Sequence, residues 1–424
     1  MNVFRFTIVM LIMFGCISYS WSDEPKKNVV LISLDTLRVD YVTPEYMPFL
    51  SNLGKTNISF NNAYTTAPYT GPAHASLFTG HPSTKNGVRH NLQELPPKFK
   101  TIAEVFQEQG YKTFGFVSSI LLSKKAGFQS GFDYFDSSED KDIWITAEEQ
   151  VSRVRQFLTS LTRIRPMFLF IHFSDLHQYA ERDSARVQLE SISPALSLEK
   201  ESLRVYTKEY GKTALLLDQS LQNLFTMFSD LNLDSNTIYV VISDHGEGLG
   251  DHGLLGHVDN LHNELIKILL IIKNPNGLKS SSDSLVSIID IPQTLAKISG
   301  GKGSLGNGTD LFSKIPDREV TSDTWTPDAK IEQHAIISGS KKMIFFPKQV
   351  QTFDLKLDPH ELSPVITKRK MEIYLLTLQK KLLFPLRIKK FLGHSGIYNE
   401  ILYLLQSFYI CTIPIFSNYL LCYN

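Results

Sequence analysis

Acidic and histidine residues recur at one kind of place in this chain, immediately after short apolar runs. Asn28 to Leu34 leads into Asp35, in Leu34-Asp35-Thr36-Leu37-Arg38-Val39-Asp40. Met167 to Phe173 leads to Asp175 and His177, and Thr237 to Ser243 leads into Asp244-His245-Gly246-Glu247-Gly248. In open α/β sheets ligands bind beyond the carboxyl ends of the strands, so three such ends would deliver Asp and His side chains to one edge. One Asp after one strand is more often a turn or capping residue; three together ask for a common purpose. A hydroxyl joins them in Ala67-Pro68-Tyr69-Thr70-Gly71-Pro72-Ala73-His74-Ala75-Ser76-Leu77-Phe78-Thr79-Gly80. Pro72 fits the first position of a helix with Gly71 as its cap. Thr70 then stands just ahead of a helix N-terminus, where free N–H groups and the helix dipole favour an anion. A hydroxyl there can attack a bound tetrahedral anion if a metal lowers its pKa. Taken alone, Thr70 reads more simply as a capping residue.

These residues need a sheet to position them. Asn28 to Leu34, Lys112 to Val117, Met167 to Phe173, Thr237 to Ser243 and Ile268 to Ile272 lack the apolar/polar alternation of a half-exposed strand and read as buried parallel strands. Helical patterns lie between and after them, at Thr101 to Gln109, Thr146 to Leu161, Tyr206 to Phe228 and Val286 to Ile298. That alternation predicts an α/β sheet covered on both faces. Ala180 to Leu203 reads as an inserted loop, and Ser280 to Ser284 and Gly300 to Gly308 as loops by composition. Past Ile315 the pattern changes to short antiparallel strands, at Ala335 to Ser338, Lys342 to Pro347 and Gln351 to Leu355, then a helix from about Thr367 to Leu382.

The chain of 424 residues has room for one large α/β domain with an appendage. Lysine plus arginine equals aspartate plus glutamate, at 43 each, which gives no bulk electrostatic case for a nucleic-acid partner. Met1 to Arg5, the apolar run Phe6 to Cys16 and the small residues flanking Trp21 make residues 1–22 a secretory signal peptide with cleavage before Asp23; lipidation at Cys16, after Gly15, is a variant. Either predicts an exported protein, periplasmic, extracellular or membrane-anchored. Cys16, Cys411 and Cys422 are the only cysteines, so the domain between them is held by its core and not by disulfides. Residues 401–424 carry no charge and are rich in aromatics; a membrane segment, a docked tail and an aberrant terminus all remain open for them.

The order of motifs resembles the sulfatase branch of the alkaline phosphatase superfamily. Asn28 to Asp40 looks like the opening strand of sulfatase-like enzymes, and Thr70 to Gly80 like their nucleophile-bearing helix start. Gly127 to Phe135, Phe168 to His177, Ser243 to Gly253, Gly256-His257, Phe353-Asp354-Leu355 and Asp358-Pro359 follow in the family order. The resemblance covers roughly Asn28 to Glu361. It implies an alkaline-phosphatase-like, mostly parallel mixed sheet between helical layers, with a small C-terminal α+β subdomain. It implies that Asp35, Thr70, Asp244 and His245 hold a divalent metal ion (Ca, Mg, Mn or Zn), that Thr70 is also the nucleophile, and that His177 and His257 contact the substrate anion or leaving group. Asp175 and His257 could help to hold a second metal.

Three departures shape the expected chemistry. True sulfatases convert a Cys or Ser to formylglycine, and Thr70 cannot become that aldehyde. Thr36 replaces the second Asp of the opening pair, and His74 the Arg of the nucleophile motif. Val117-Ser118-Ser119 stands where the family carries a lysine motif. The expected activity is hydrolysis of a sulfate or phosphate ester, with Thr70 favouring phosphoester hydrolysis or transfer. The substrate is a small anionic ester or a glycan or lipid head group. The alternative is an inactive exported relative that binds anionic glycans or lipids. Residues 23–318 form the expected catalytic domain, 319–385 the subdomain and 386–424 a hydrophobic tail. Membrane association would run through Cys16 or that tail. His81, His90, His252, His262 and His360 read as surface or loop residues.

Overall fold

A computed structural model describes residues 26–137, 145–161, 166–178, 200–257, 260–301, 303–326 and 331–368. The signal segment, the Cys16 site, most of the 180–203 insertion and the C-terminal tail lie outside the described residues. No helix within the described residues is long and apolar enough to cross a membrane.

The first part of the chain supplies strands β1 (Asn28–Leu34), β2 (Ile58–Tyr64), β3 (Lys112–Phe116), β4 (Tyr134–Asp136), β5 (Met167–Phe173) and β6 (Thr237–Ser243). A two-residue hairpin comes next, β7 (Gly248–Leu249) and β8 (Leu255–Gly256), then β9 (Lys267–Ile268), β10 (Leu270–Lys273) and β11 (Ser280–Ser287). The main sheet runs β11-β2-β10-β6-β1-β5-β3-β4, with β9 also beside β2. β1 pairs in parallel with β5 and β6, while β10 is antiparallel to both β6 and β2. This is the mixed, mostly parallel sheet expected.

β1 shows why a continuous apolar run makes a central strand. All seven of its residues are buried. Val29 and Leu31 enter the core on one face; Val30, Ile32 and Leu34 enter the core on the other. Alternate side chains point to opposite faces, so a strand covered on both sides must be apolar at every position. Each such side chain contributes roughly 1.5–3 kcal/mol by leaving water.

Several boundaries differ from the sequence reading. Ser280 to Ser284, expected as a loop, begins the edge strand β11, which pairs in parallel with β2. Its first five residues are polar and exposed or half-buried, so they carry no hydrophobic signal. Val286 and Ser287 end that strand, and the helix expected from Val286 starts at Asp290, whose carboxylate accepts the Ser287 N–H at 2.7 Å. The helix expected from Tyr206 runs from Lys200 to Asp230 and takes in the end of the expected loop. β2 and the helix Pro48–Thr56 were not anticipated; β2 mixes Ser, Asn and Ala with its apolar residues.

A second, antiparallel sheet is formed in order by β12 (Glu319–Thr326), β13 (Ile331–Ser338), β14 (Lys341–Phe345), β15 (Gln349–Asp354) and β16 (Val365–Lys368). Thr367 and Lys368 thus belong to a strand, and the remainder of the helix expected there lies outside the described residues. Val320, Ala335, Ile337, Ile344 and Phe353 pack on Tyr64, Leu261, Leu265 and Ile266 of the first part. A buried ion pair adds to that seam. Lys342 Nζ lies 2.7 Å from Glu361 Oε1 and donates to Asn263 Oδ1 at 3.0 Å. Glu361 Oε2 accepts the Asn263 N–H at 2.5 Å, and the Glu361 carbonyl lies 3.1 Å from His252 Nε2.

His334 gives this sheet a pH signature. On β13 it faces Asp323 of β12 and bonds its carboxylate, while its Nε2 lies 3.5 Å from Glu332. Burial alone would lower the imidazole pKa; the two carboxylates overcome that and push it up to about 9. The unfolded chain titrates near 6.5, so the stabilisation is complete below about pH 6.5 and is lost as pH rises through about 9. The melting temperature of the native protein should exceed that of His334→Gln most at about pH 6, by the equivalent of up to about 3 kcal/mol, and converge with it above about pH 9. A gap that does not change with pH would reject the assignment.

Candidate active site

β6, β1 and β5 lie side by side, so their carboxyl ends open on one edge. The Asp35 N–H bonds the Phe173 carbonyl at 2.9 Å, which ties the end of β1 to the end of β5. Asp244 Oδ1 accepts the N–H of Thr36 at 3.2 Å and of His245 at 2.8 Å, which fixes one oxygen and aims the other into the site. Thr36 adopts φ 58°, rare for a β-branched residue. Its carbonyl is held by the buried Tyr210 hydroxyl at 2.7 Å, and its own hydroxyl donates to the Asp35 carbonyl at 2.7 Å. Strain of this kind persists only where surrounding contacts over-determine it. Gly246 is required: a Cβ there would stand 1.9 Å from the Glu264 carbonyl oxygen.

Thr70 is the first residue of a helix, Thr70–Thr79, with Tyr69 as its cap. The sequence reading put the cap at Gly71, so the helix starts earlier than expected. Gly80, at φ 67°, ends it with its N–H on the Ser76 carbonyl. No side chain caps the amino end. The Thr70 hydroxyl instead lies 3.4 Å and 3.5 Å from the Asp35 oxygens and 3.4 Å from His245 Nε2. His74 sits one turn on, its Nδ1 2.8 Å from the Thr70 carbonyl and its Nε2 2.9 Å from Ser33 Oγ. A carbonyl can only accept, so the network assigns the proton to Nδ1 and leaves Nε2 to accept from Ser33. Burial, then the neighbouring His172, lowers the His74 pKa to about 3, so this imidazole is neutral.

Asp35, Asp244 and His245 each offer one ligand atom, all within 4.8 Å of one another. Burial raises the Asp35 pKa, but hydrogen bonding to His172 and the charges of His177, His172 and His245 outweigh it and hold the carboxyl well below the usual range. Asp244 is pushed far up, first by burial and then by the Asp35 charge. Burial and the neighbouring His257 lower His245 to about 3, which leaves a neutral ring. Asp244 Oδ2 has no hydrogen-bond partner. Two buried carboxylates, an orphaned carboxylate oxygen and a neutral imidazole are a donor set that fits a divalent cation.

His257 and His177 stand alongside, with ring centroids 4.6 Å from His245 to His257 and 4.9 Å from His177 to His257. Glu247 bonds His257 Nδ1 at 3.2 Å. Burial lowers the His257 pKa, but Glu247 outweighs it and leaves it raised; burial and His257 lower that of His177. Asp175 Oδ1 accepts the Ala147 N–H at 2.9 Å, at the start of the helix Ala147–Ser160.

The Sulfatase family profile matches residues 27–301. The chain belongs to the sulfatase family. With the family comes hydrolysis of sulfuric or phosphoric esters. Among relatives, an ulvan-active sulfatase of Formosa agariphila is 26% identical, over 74% of this chain and 68% of its own length. Two solved structures, each 17% identical, share the sulfatase fold. A 2-O GAG sulfatase superposes with TM-score 0.66 over 84% of this chain and 91% of its own. The phosphonate monoester hydrolase of Agrobacterium radiobacter does so with TM-score 0.65 over 84% and 95%.

Within the sulfatase fold, the sequence reading missed His172. It lies inside β5 and is wholly buried, with Nε2 3.4 Å from Asp35 Oδ2. A His in an apolar strand shows only when the strand's register beside β1 is known. His252 and His262, read as surface or loop residues, do lie in the turn between β7 and β8 and just before the helix Asn263–Ile266. His262 is buried, and their rings stack at 3.8 Å and 14°. With Glu264 they form a second group of potential metal ligands. The planes of rings stacked this way meet only far beyond ligand distance, which disfavours one cation on both lone pairs, and His252 Nδ1 bonds Glu264 Oε1 at 2.8 Å.

Proposed function

We propose that this sulfatase-family protein cleaves a phosphate ester through Thr70, with Asp35, Thr70, Asp244 and His245 as the ligands of one divalent cation. The observation that carries the reading is the Thr70 hydroxyl, which faces Asp35 and His245 while making no cap to its own helix. The bound cation supplies positive charge that lowers the pKa of a neighbouring hydroxyl and stabilises oxyanions. Thr70 Oγ, its proton released to solvent, forms the bond to phosphorus, helped by its place at a helix amino end. The ester oxygen leaves and takes a proton from His257, whose pKa Glu247 raises. His177, with its lowered pKa, is the neutral partner that accepts a proton from the water or alcohol resolving the phosphothreonine. Pairs of groups with pKa values pushed apart divide acid and base work in this way.

Threonine lacks the second Cβ hydrogen needed to form the sulfatase aldehyde, which favours phosphorus over sulfur. The glucosamine disulfate named as substrate of one structural neighbour suggests a sugar ester as the natural class. The exported location anticipated from residues 1–22 belongs to the same reading.

Aryl sulfate, phosphate monoester and phosphate diester should be assayed side by side on the purified protein with Ca, Mg, Mn or Zn ions. Phosphoester turnover should exceed sulfate-ester turnover. The reverse order would overturn the assignment to phosphate. Protein that retains no divalent metal and turns over none of the three would favour a non-catalytic binder.

A further inference from the structure

His172 plays no part in the chemistry above, yet it is the side chain nearest to Asp35 from β5. Ser33 of β1 is its register partner, which sets the imidazole beside the last residues of β1. Nε2 is 3.4 Å from Asp35 Oδ2 and has no well-aligned hydrogen-bond partner. Nδ1 is 3.2 Å from Ser118 Oγ, which is 2.9 Å from Ser174 Oγ. All these groups are buried. A polar nitrogen with no well-aligned partner inside a packed sheet is costly, so its retention calls for a purpose.

Counting protons assigns the ring. The Ser174 hydroxyl can donate to the Ser118 carbonyl at 3.2 Å. The single Ser118 proton then goes either to Ser174 Oγ or to His172 Nδ1. If it goes to Ser174, Nδ1 must donate to Ser118, and a neutral ring would turn a bare Nε2 lone pair on the Asp35 carboxylate. If it goes to Nδ1, Nε2 carries the hydrogen and points it at that carboxylate. Of the two neutral tautomers, only the second is attractive at both ends.

We propose that His172 is a positioning residue. Its Nε2–H holds Asp35 Oδ2, and the Ser118 hydroxyl on Nδ1 selects that tautomer. Asp35 Oδ1 is thereby presented to Thr70 and His245, at 3.4 Å and 3.6 Å. Partners of this kind, one bond behind a ligand, set its orientation, and their loss weakens metal affinity by about 10- to 100-fold. The inference rests on Asp35 being a ligand.

The test uses Mn²⁺ as probe, calorimetric titration of the full chain, and steady-state kinetics on the best ester. His172→Met fills the volume without a donor; it should weaken Mn²⁺ binding by about 10- to 100-fold and lower kcat more than it changes KM. His172→Gln keeps an N–H at similar reach and should recover most of both. Ser118→Ala should fall between. A purely structural residue would lower the melting temperature and leave the Mn²⁺ affinity of the folded protein unchanged; that result for His172→Met overturns the proposal. Should His172→Met fail to fold, Ser118→Ala decides: native Mn²⁺ affinity and native kcat would overturn it. Asp35→Asn separates the underlying reading. If that variant binds Mn²⁺ like the native protein, Asp35 is not a ligand and the functional reading itself fails.

Discussion

Thr70→Ala should lower turnover of the best ester by about 10³- to 10⁶-fold, the range seen when a covalent nucleophile is deleted. The substitution removes the attacking oxygen and one proposed ligand together. It leaves the helix Thr70–Thr79 intact, because no cap depends on that hydroxyl and alanine is a good helix former. Melting temperature without metal should therefore change little, which separates loss of chemistry from loss of fold. Thr70→Ser keeps the oxygen and should retain part of the activity. Thr70→Cys restores the residue type that other sulfatases modify, but His74 stands where the motif has Arg, so no strong sulfatase should emerge. Stopped turnover and the mass shift of a trapped phosphothreonine are the measurements. Full activity in Thr70→Ala would reduce Thr70 to a structural residue.

Asp244→Asn should have an effect of similar size on activity and a less obvious one on stability. Both Asp35 and Asp244 are essentially without solvent exposure, and the Asp35 charge raises the cost of ionising Asp244. Asparagine can keep the oxygen that accepts from Thr36 and His245 while removing the carboxyl whose ionisation burial and Asp35 oppose. Without metal, Asp244→Asn should melt at or above the native temperature. With divalent metal present, the native protein should gain about 2.7 kcal/mol at a hundred times its Kd, and the variant none of it. Turnover should fall on the order of 10³-fold or more, the scale of losing a preorganised electrostatic stabiliser. Thermal melts with and without chelator, together with bound-metal analysis, check this. An equal metal-induced shift in the variant would rule out Asp244 as a ligand.

The readable parts of this protein are those where one physical demand acts on consecutive residues. β1, β5 and β6 are buried on both faces, so their apolar runs announce both the strands and the edge where Asp35, Asp244 and His245 gather. Thr70 could be placed near a helix start because Pro72 and Gly71 mark one. β11 stayed hidden because edge exposure removes the apolar pattern, and β2 because its serine and asparagines break the apolar run; their pairing is a long-range fact. His172 stayed hidden for the opposite reason: its strand is conspicuous, but its role comes from register with β1 and from Ser118, 54 residues earlier in the chain. Asp175 has a local structural task as well. It comes after a strand as the others do, yet one of its oxygens holds the Ala147 N–H.

The buried pair of Lys342 and Glu361 bears on modularity. The family profile ends at residue 301, which invites treating the C-terminal sheet as an interchangeable accessory. Glu361 nevertheless reaches back to the Asn263 amide and, through its carbonyl, to His252 in the β7–β8 turn, which follows His245 in the chain. An unpartnered charge in that setting is far costlier than an absent pair. Lys342, Glu361 and Asn263 are therefore a matched set. In any recombination between relatives they must travel together, and the crossover point compatible with a working catalytic half lies after Glu361, not at the end of the first sheet.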